Sequence, residues 1–180
     1  AKDMLEAQEY PKIAPAPGMQ PQPPYDAAGW SLGMQMGVET VFVKEPFAAD
    51  LKKLFSVTIP PGRMIGSGPV FIIGHEATDS LVAVNRLLKE GAEILWLKES
   101  FEAGGKTYAP GAIVVSGAAG LPGLMTRIAG DLGLEAQSLP AVPAVPAMKV
   151  RAPRIGLYQP WGGNMDEGWT RWVLEKFEVP

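Results

Sequence analysis

Two uninterrupted apolar runs, Val70-Phe71-Ile72-Ile73 and Ile94-Leu95-Trp96-Leu97, constrain this chain more than any other feature. A run without polar alternation reads as a strand covered on both faces. Between them Leu81, Val84, Leu87 and Leu88 recur at three- and four-residue steps, the period of a helix with one buried side. Thr78 or Asp79 stands where that helix needs a cap, and Gly91 where a left-handed terminator belongs. Strand, helix and strand together predict a crossover with the two strands paired in parallel.

The pattern continues on either side. Gly104-Gly105 lies between Leu97 and the apolar run Ala112 to Val115, which predicts a hairpin and an antiparallel addition within residues 97–115. Pro122 suits the first turn of a helix whose Leu124, Met125, Ile128 and Leu132 share a face. Gly133 ends it before a strand near Leu134 to Leu139, a second crossover. Upstream, weaker patterns predict a short helical turn over residues 25–30, a strand over 38–43, a helix over 47–55 and a strand over 56–59. The fold class expected is α/β: a small mixed, largely parallel sheet flanked by helices, with Pro-rich connectors.

The 18 prolines set the boundaries. Prolines 11, 15, 17, 21, 23 and 24 make residues 1–24 an extended linker, and Pro140, Pro143, Pro146 and Pro153 make 140–153 a second one. Residues 25–139 are the expected α/β domain. Beyond the second linker, Ile155 to Tyr158 reads as a strand. Asn164 to Phe177 reads as a helix with Trp169, Trp172, Val173 and Phe177 on its apolar side. One strand and one helix cannot form a core alone. Residues 154–180 are therefore either the opening of a truncated domain, the favoured reading, or a unit docked on the preceding sheet. The ends read as cuts in a longer chain.

Inventory limits the chemistry. With one histidine and no cysteine, thiolate nucleophiles, iron–sulfur clusters and cysteine zinc sites are excluded, and too few groups remain for a metal centre. A net charge of -3 with scattered lysines and arginines lacks the basic footprint that nucleic acid requires. No run reaches the length of a membrane span.

Six residues are candidates for ligand binding. His75 and Glu76 follow a strand's carboxyl end, where ligands of open α/β sheets bind. Their spacing does not suit helix-borne zinc ligands, and a hydrolytic triad would need Ser67 or Ser116, neither in a nucleophile-elbow motif. Gly117 and Gly120, with Gly123, precede a helix and could present amides to an anion. Their spacing departs from the dinucleotide fingerprint, Pro122 removes a donor, and a tight turn explains them. Trp161 sits in an expected loop and could stack on a sugar or peptide. Asn164, with Glu167 three residues on, fits a capping box, which also accounts for the neighbouring Asp166.

Two segments resemble the later part of bacterial carboxypeptidase-A-like zinc metallopeptidases. One runs from Pro24-Tyr25-Asp26 through Gly29-Trp30 to Gln35-Met36-Gly37-Val38. The other runs from Arg154-Ile155-Gly156-Leu157-Tyr158 through Asn164-Met165-Asp166-Glu167-Gly168-Trp169-Thr170-Arg171-Trp172. The resemblance implies a region following the peptidase domain, with Arg154-Ile155 opening a domain similar to class I glutamine amidotransferases, of flavodoxin-like type. The family's H-x-x-E pair and later histidine have no counterparts here, and neither does the amidotransferase cysteine. The implied function is thus non-catalytic: an accessory or scaffolding region, with zinc expected only in the absent peptidase domain. Implied partners are neighbouring domains of the polypeptide and peptide substrate, and the implied location is periplasmic or extracellular. A peptide-, glycan- or anion-binding module is the alternative.

Overall fold

The computed structural model describes residues 13–22, 32–41, 43–56, 58 and 60–179. The chain divides between Leu54 and Phe55 into two units. In the first, the described residues hold one helical turn, α1 (Leu32–Gln35), and otherwise irregular backbone. The strand expected over 38–43 and the helix expected over 47–55 do not form among the described residues. Val38, Phe47, Leu51 and Leu54 are all more than half exposed, so the apolar period there has no core to serve. The turn expected over 25–30 lies outside the described residues.

The second unit is built on a six-stranded sheet. Its strands are β1 (Arg63–Ile65), β2 (Val70–Ile73), β3 (Glu93–Leu97), β6 (Ile113–Ser116), β7 (Glu135–Leu139) and β8 (Ala147–Val150). A separate hairpin pairs β4 (Phe101–Ala103) with β5 (Lys106–Tyr108). Helix α2 (Asp79–Lys89) joins β2 to β3, α3 (Leu121–Leu132) joins β6 to β7, and α4 (Met165–Lys176) comes last. Both crossover helices follow the sequence expectation, ending at Gly91 and Gly133 with positive φ.

The sheet order β1-β7-β2-β6-β3-β8 corrects the expected pairing. β2 and β3 do point the same way, but β6 lies between them, antiparallel to both. Likewise β2 lies between β6 and β7. The sheet is mostly antiparallel, with β1 and β7 its one parallel pair. Each crossover skips one strand, and the two interlock as β-α-β-β-α-β, the split arrangement called ferredoxin-like. Burial is the cause: Ile113, Val114 and Val115 are all completely buried, a state only a central strand provides.

Alternation along the strands divides the core. Phe71, Ile73, Ile94, Ile113, Val115 and Ala136 face the helices, meeting Leu87, Met125 and Ile128. Val70, Ile72, Val114, Leu97 and Leu139 face the other way, where Tyr108 and Phe101 of the hairpin cover them. The hairpin turn Gly104-Gly105 has φ of 58° and 77°, the backbone a two-residue turn requires. Glu135 ties strands together by accepting from Arg63 Nε at 2.7 Å and pairing with Lys106 at 3.6 Å.

Two strands stand elsewhere than the sequence pattern implies. The strand expected over 56–59 gives way to β1, which begins only after Pro60-Pro61-Gly62; Val57 and Ile59 lie outside the described residues. Ile155 to Tyr158 forms no ladder, and β8, inside the expected Pro-rich linker, holds the edge beside β3 instead. Pro146 needs no donor there, because its carbonyl accepts from the Lys98 amide at 2.8 Å.

The chain after α4 is anchored to α2. Asn85 Nδ2 donates to the Phe177 carbonyl at 2.7 Å, and Arg86 donates to Glu178 from Nε and Nη2 at 2.8–3.1 Å. Arg86 Nη1 also reaches Asp131 of α3 at 3.3 Å. Glu178 adopts φ of 55°, with its amide bonded to the Glu175 carbonyl and that of Val179 to Leu174. This double closure is a Schellman end with glutamate where glycine is usual. Among the described residues no helix is long and apolar enough to cross a membrane.

Two predictions follow from these contacts. Ser80 is fully buried in α2 and its hydroxyl has no hydrogen-bond partner among the described residues, so Ser80→Ala should raise stability by about 1 kcal/mol in urea unfolding; a loss of stability would contradict this environment. The Arg86 guanidinium holds the Glu178 carboxyl below its usual value. A depressed carboxylate stabilises above its ordinary pKa and loses that contribution as pH falls through the lowered one. Amide protection factors at the α4 terminus, taken against the intrinsic rate at each pH, should therefore fall on acidification below about pH 4, and Arg86→Gln should show the lowered protection already at neutral pH.

Candidate functional site

β2 delivers Gly74, His75 and Glu76 past the end of the sheet, and the chain turns at once into α2. A cavity of about 310 Å³ opens there. His75, Glu76 and Thr78 stand at its mouth, Leu81 and Trp96 form the walls, and Gly111 with Ile113 line the floor. Ile113 is completely buried, Trp96 half-buried, and His75 and Glu76 exposed.

Gly111 shapes this cavity. Its φ is 97°, and a Cβ placed on it would lie 2.8 Å from His75 Cδ2. The imidazole therefore rests against bare backbone. The Gly111 amide donates to the Leu97 carbonyl at 2.7 Å, fixing the loop where β3 and β6 meet. His75 has no hydrogen-bond partner among the described residues. An imidazole and a carboxylate above apolar walls can orient a small ligand with an apolar body and a polar head.

Thr78 occupies the cap position of α2, but it is itself helical (φ -57°, ψ -33°) and its side chain makes no capping bond. Among the described residues no three His, Asp or Glu side chains converge as a metal ion would need.

The structure separates the sequence candidates into three places. His75 and Glu76 share the cavity. Because β6 runs antiparallel to β2, Gly117 and Gly120 lie at the opposite end of the sheet. Both have positive φ, and Gly120 begins α3 in a left-handed conformation, which the turn into that helix demands. Ser116 ends β6 and Ser67 precedes β2, so both serines belong to that far end and neither is brought to His75.

Trp161 and Asn164 form the third place, before α4. Asn164 Oδ1 accepts from the Asp166 amide at 2.7 Å and the Glu167 amide at 3.4 Å, the expected cap. Glu167 does not complete the box; its carboxylate lies 3.5 Å from Arg171. Trp161 is fully exposed in the turn. Trp169 and Trp172 have core spacing but remain 66% and 54% exposed, edge to face with centroids 6.1 Å apart. Val173, Leu174 and Phe177, toward the end of that helix, line a cleft against α2 and the sheet.

Trp96 and Gly111 were missed as site residues in the sequence. An apolar strand residue and a loop glycine carry no chemical signal until a topology brings them to His75. Comparison with protein-family models, curated proteins and solved structures finds no match.

Gly111→Ala should strain the backbone by about 1–2 kcal/mol and push the imidazole out of the cavity. The chain has one histidine, so its single pair of ring-proton resonances reads the change directly; unchanged shifts in the variant would refute the contact.

Proposed function

We propose that this chain is a non-catalytic accessory region of a larger zinc carboxypeptidase-like protein, serving as a scaffold between neighbouring domains. In this reading residues 154–180 open an amidotransferase-like domain, and the setting is periplasmic or extracellular. One observation carries the reading: between residues 155 and 173 apolar side chains stand in water along a folded segment. Ile155, Tyr158, Trp161, Met165, Trp169 and Trp172 are all more than half exposed. Large aromatic surface of this kind marks a place where protein packs.

The unpaired stretch Ile155 to Tyr158 fits as well. A strand opening a parallel sheet is covered and paired only by later elements of its own domain, and here β8 already occupies the edge beside β3. The first unit adds a similar surface at Phe47, Leu51 and Leu54. A second reading, a ligand-binding module, is favoured by the cavity at His75, and the two are compatible.

Acrylamide quenching tests the scaffold reading, run on this chain alone and on a longer polypeptide that includes its natural flanks. Trp161, Trp169 and Trp172 should be readily quenched in the first and shielded in the second. The chain alone should also hold no stoichiometric zinc and release no carboxy-terminal residue. Equal quenching in both, or one tightly bound zinc per chain, would overturn the proposal.

A further inference from the structure

A second cleft, of about 360 Å³, lies between α2, the β3–β8 edge and the end of α4. It arises from how the last segment is held. β8 stops at Val150 and Pro153 forbids a longer ladder. The chain then leaves the sheet and returns through α4, which is anchored to α2 at Phe177 and Glu178. The space between is not filled. α2 lines it with Leu81 and Val84, the sheet with Trp96 and Val150, and the end of α4 with Leu174 and Phe177.

The polar part of the lining is small and of one sign. Asn85 uses one amide hydrogen on the Phe177 carbonyl. Arg151 is the only charged residue lining the cleft and has no carboxylate partner among the described residues. The cleft falls in the size range of small-molecule sites, which combine apolar walls with a few polar groups that fix orientation. A guanidinium offers a planar fork that matches a carboxylate bidentately, and no acidic side chain lines the cleft to favour a cation.

We infer that this cleft binds an amphiphilic monocarboxylate, its apolar body between α2 and α4 and its carboxylate on Arg151. The site is distinct from the His75 cavity, although Leu81 and Trp96 line both. It requires nothing of the accessory role proposed above.

The full 180-residue chain, titrated calorimetrically with decanoate below its micelle concentration, tests the inference. Decanoate should bind one to one. Octanoate should bind more weakly by about fourfold for each methylene lost. Decanol and decylamine should each bind at least about tenfold more weakly than decanoate, the carboxylate contributing a charge-assisted pair. Arg151→Gln, on an exposed position that leaves the circular dichroism unchanged, should abolish the preference for decanoate over decanol. His75→Ala should leave decanoate affinity intact. No binding, equal binding of decanoate and decanol, or affinity lost in His75→Ala but kept in Arg151→Gln would each overturn it.

Discussion

Strands β2 and β6 carry almost nothing that tolerates water, and most of the second unit is arranged to cover both of their faces at once. Val70 to Ile73 and Ile113 to Val115 are all buried. One face is closed by the apolar stripes of α2 and α3. The other face is closed by the hairpin β4–β5, with Tyr108 almost fully buried at its end. That burial also raises the Tyr108 hydroxyl pKa. A largely parallel sheet would cover both faces with helices. Among the described residues there are two crossover helices, so a hairpin does the remaining work and the sheet is mostly antiparallel.

The same constraint positions the cavity at His75. Interleaving β6 between β2 and β3 brings the start of one strand to the ends of the other two. Gly111, Ile113 and Trp96 thereby meet the loop after β2. Had β2 and β3 been neighbours, His75 would have faced the start of α2 with no floor beneath it. The cavity is a consequence of strand order, which is why the residue that shapes it most, Gly111, lies 36 positions from His75.

What could be read from the sequence follows from range. Helices α2 and α3, with Gly91 and Gly133 at their ends, were legible because period and terminator are local. So was the turn at Gly104-Gly105. Direction was legible too: the crossover correctly implied that β2 and β3 run the same way. Adjacency was not, because no local pattern says which third strand enters between them. The prolines misled for a different reason. Pro146 and Pro153 flank β8 without entering its ladder, and an edge strand four residues long needs pairing on one side only. Ile155 to Tyr158 has the better strand composition, yet β8 takes the place beside β3 and the later segment pairs with no strand. Upstream, the periodic pattern over 47–55 met no core, and propensity without burial does not hold a short helix in water.

Glu178 shows how the last segment is fixed. A glycine there would close α4 with less strain, since a side chain at positive φ costs roughly 1 kcal/mol. It could not, however, reach Arg86. The carboxylate accepts from two guanidinium nitrogens, while the preceding carbonyl accepts from Asn85, so two adjacent residues lock the end of the helix to α2. Arg86 is in turn held by Asp131 of α3. The attachment is polar and local, confined to the tip. It sets where the helix ends and leaves Trp169 and Trp172 in solvent, and the apolar cleft beneath α4 exists because the anchor lies at one end of the helix instead of along its length.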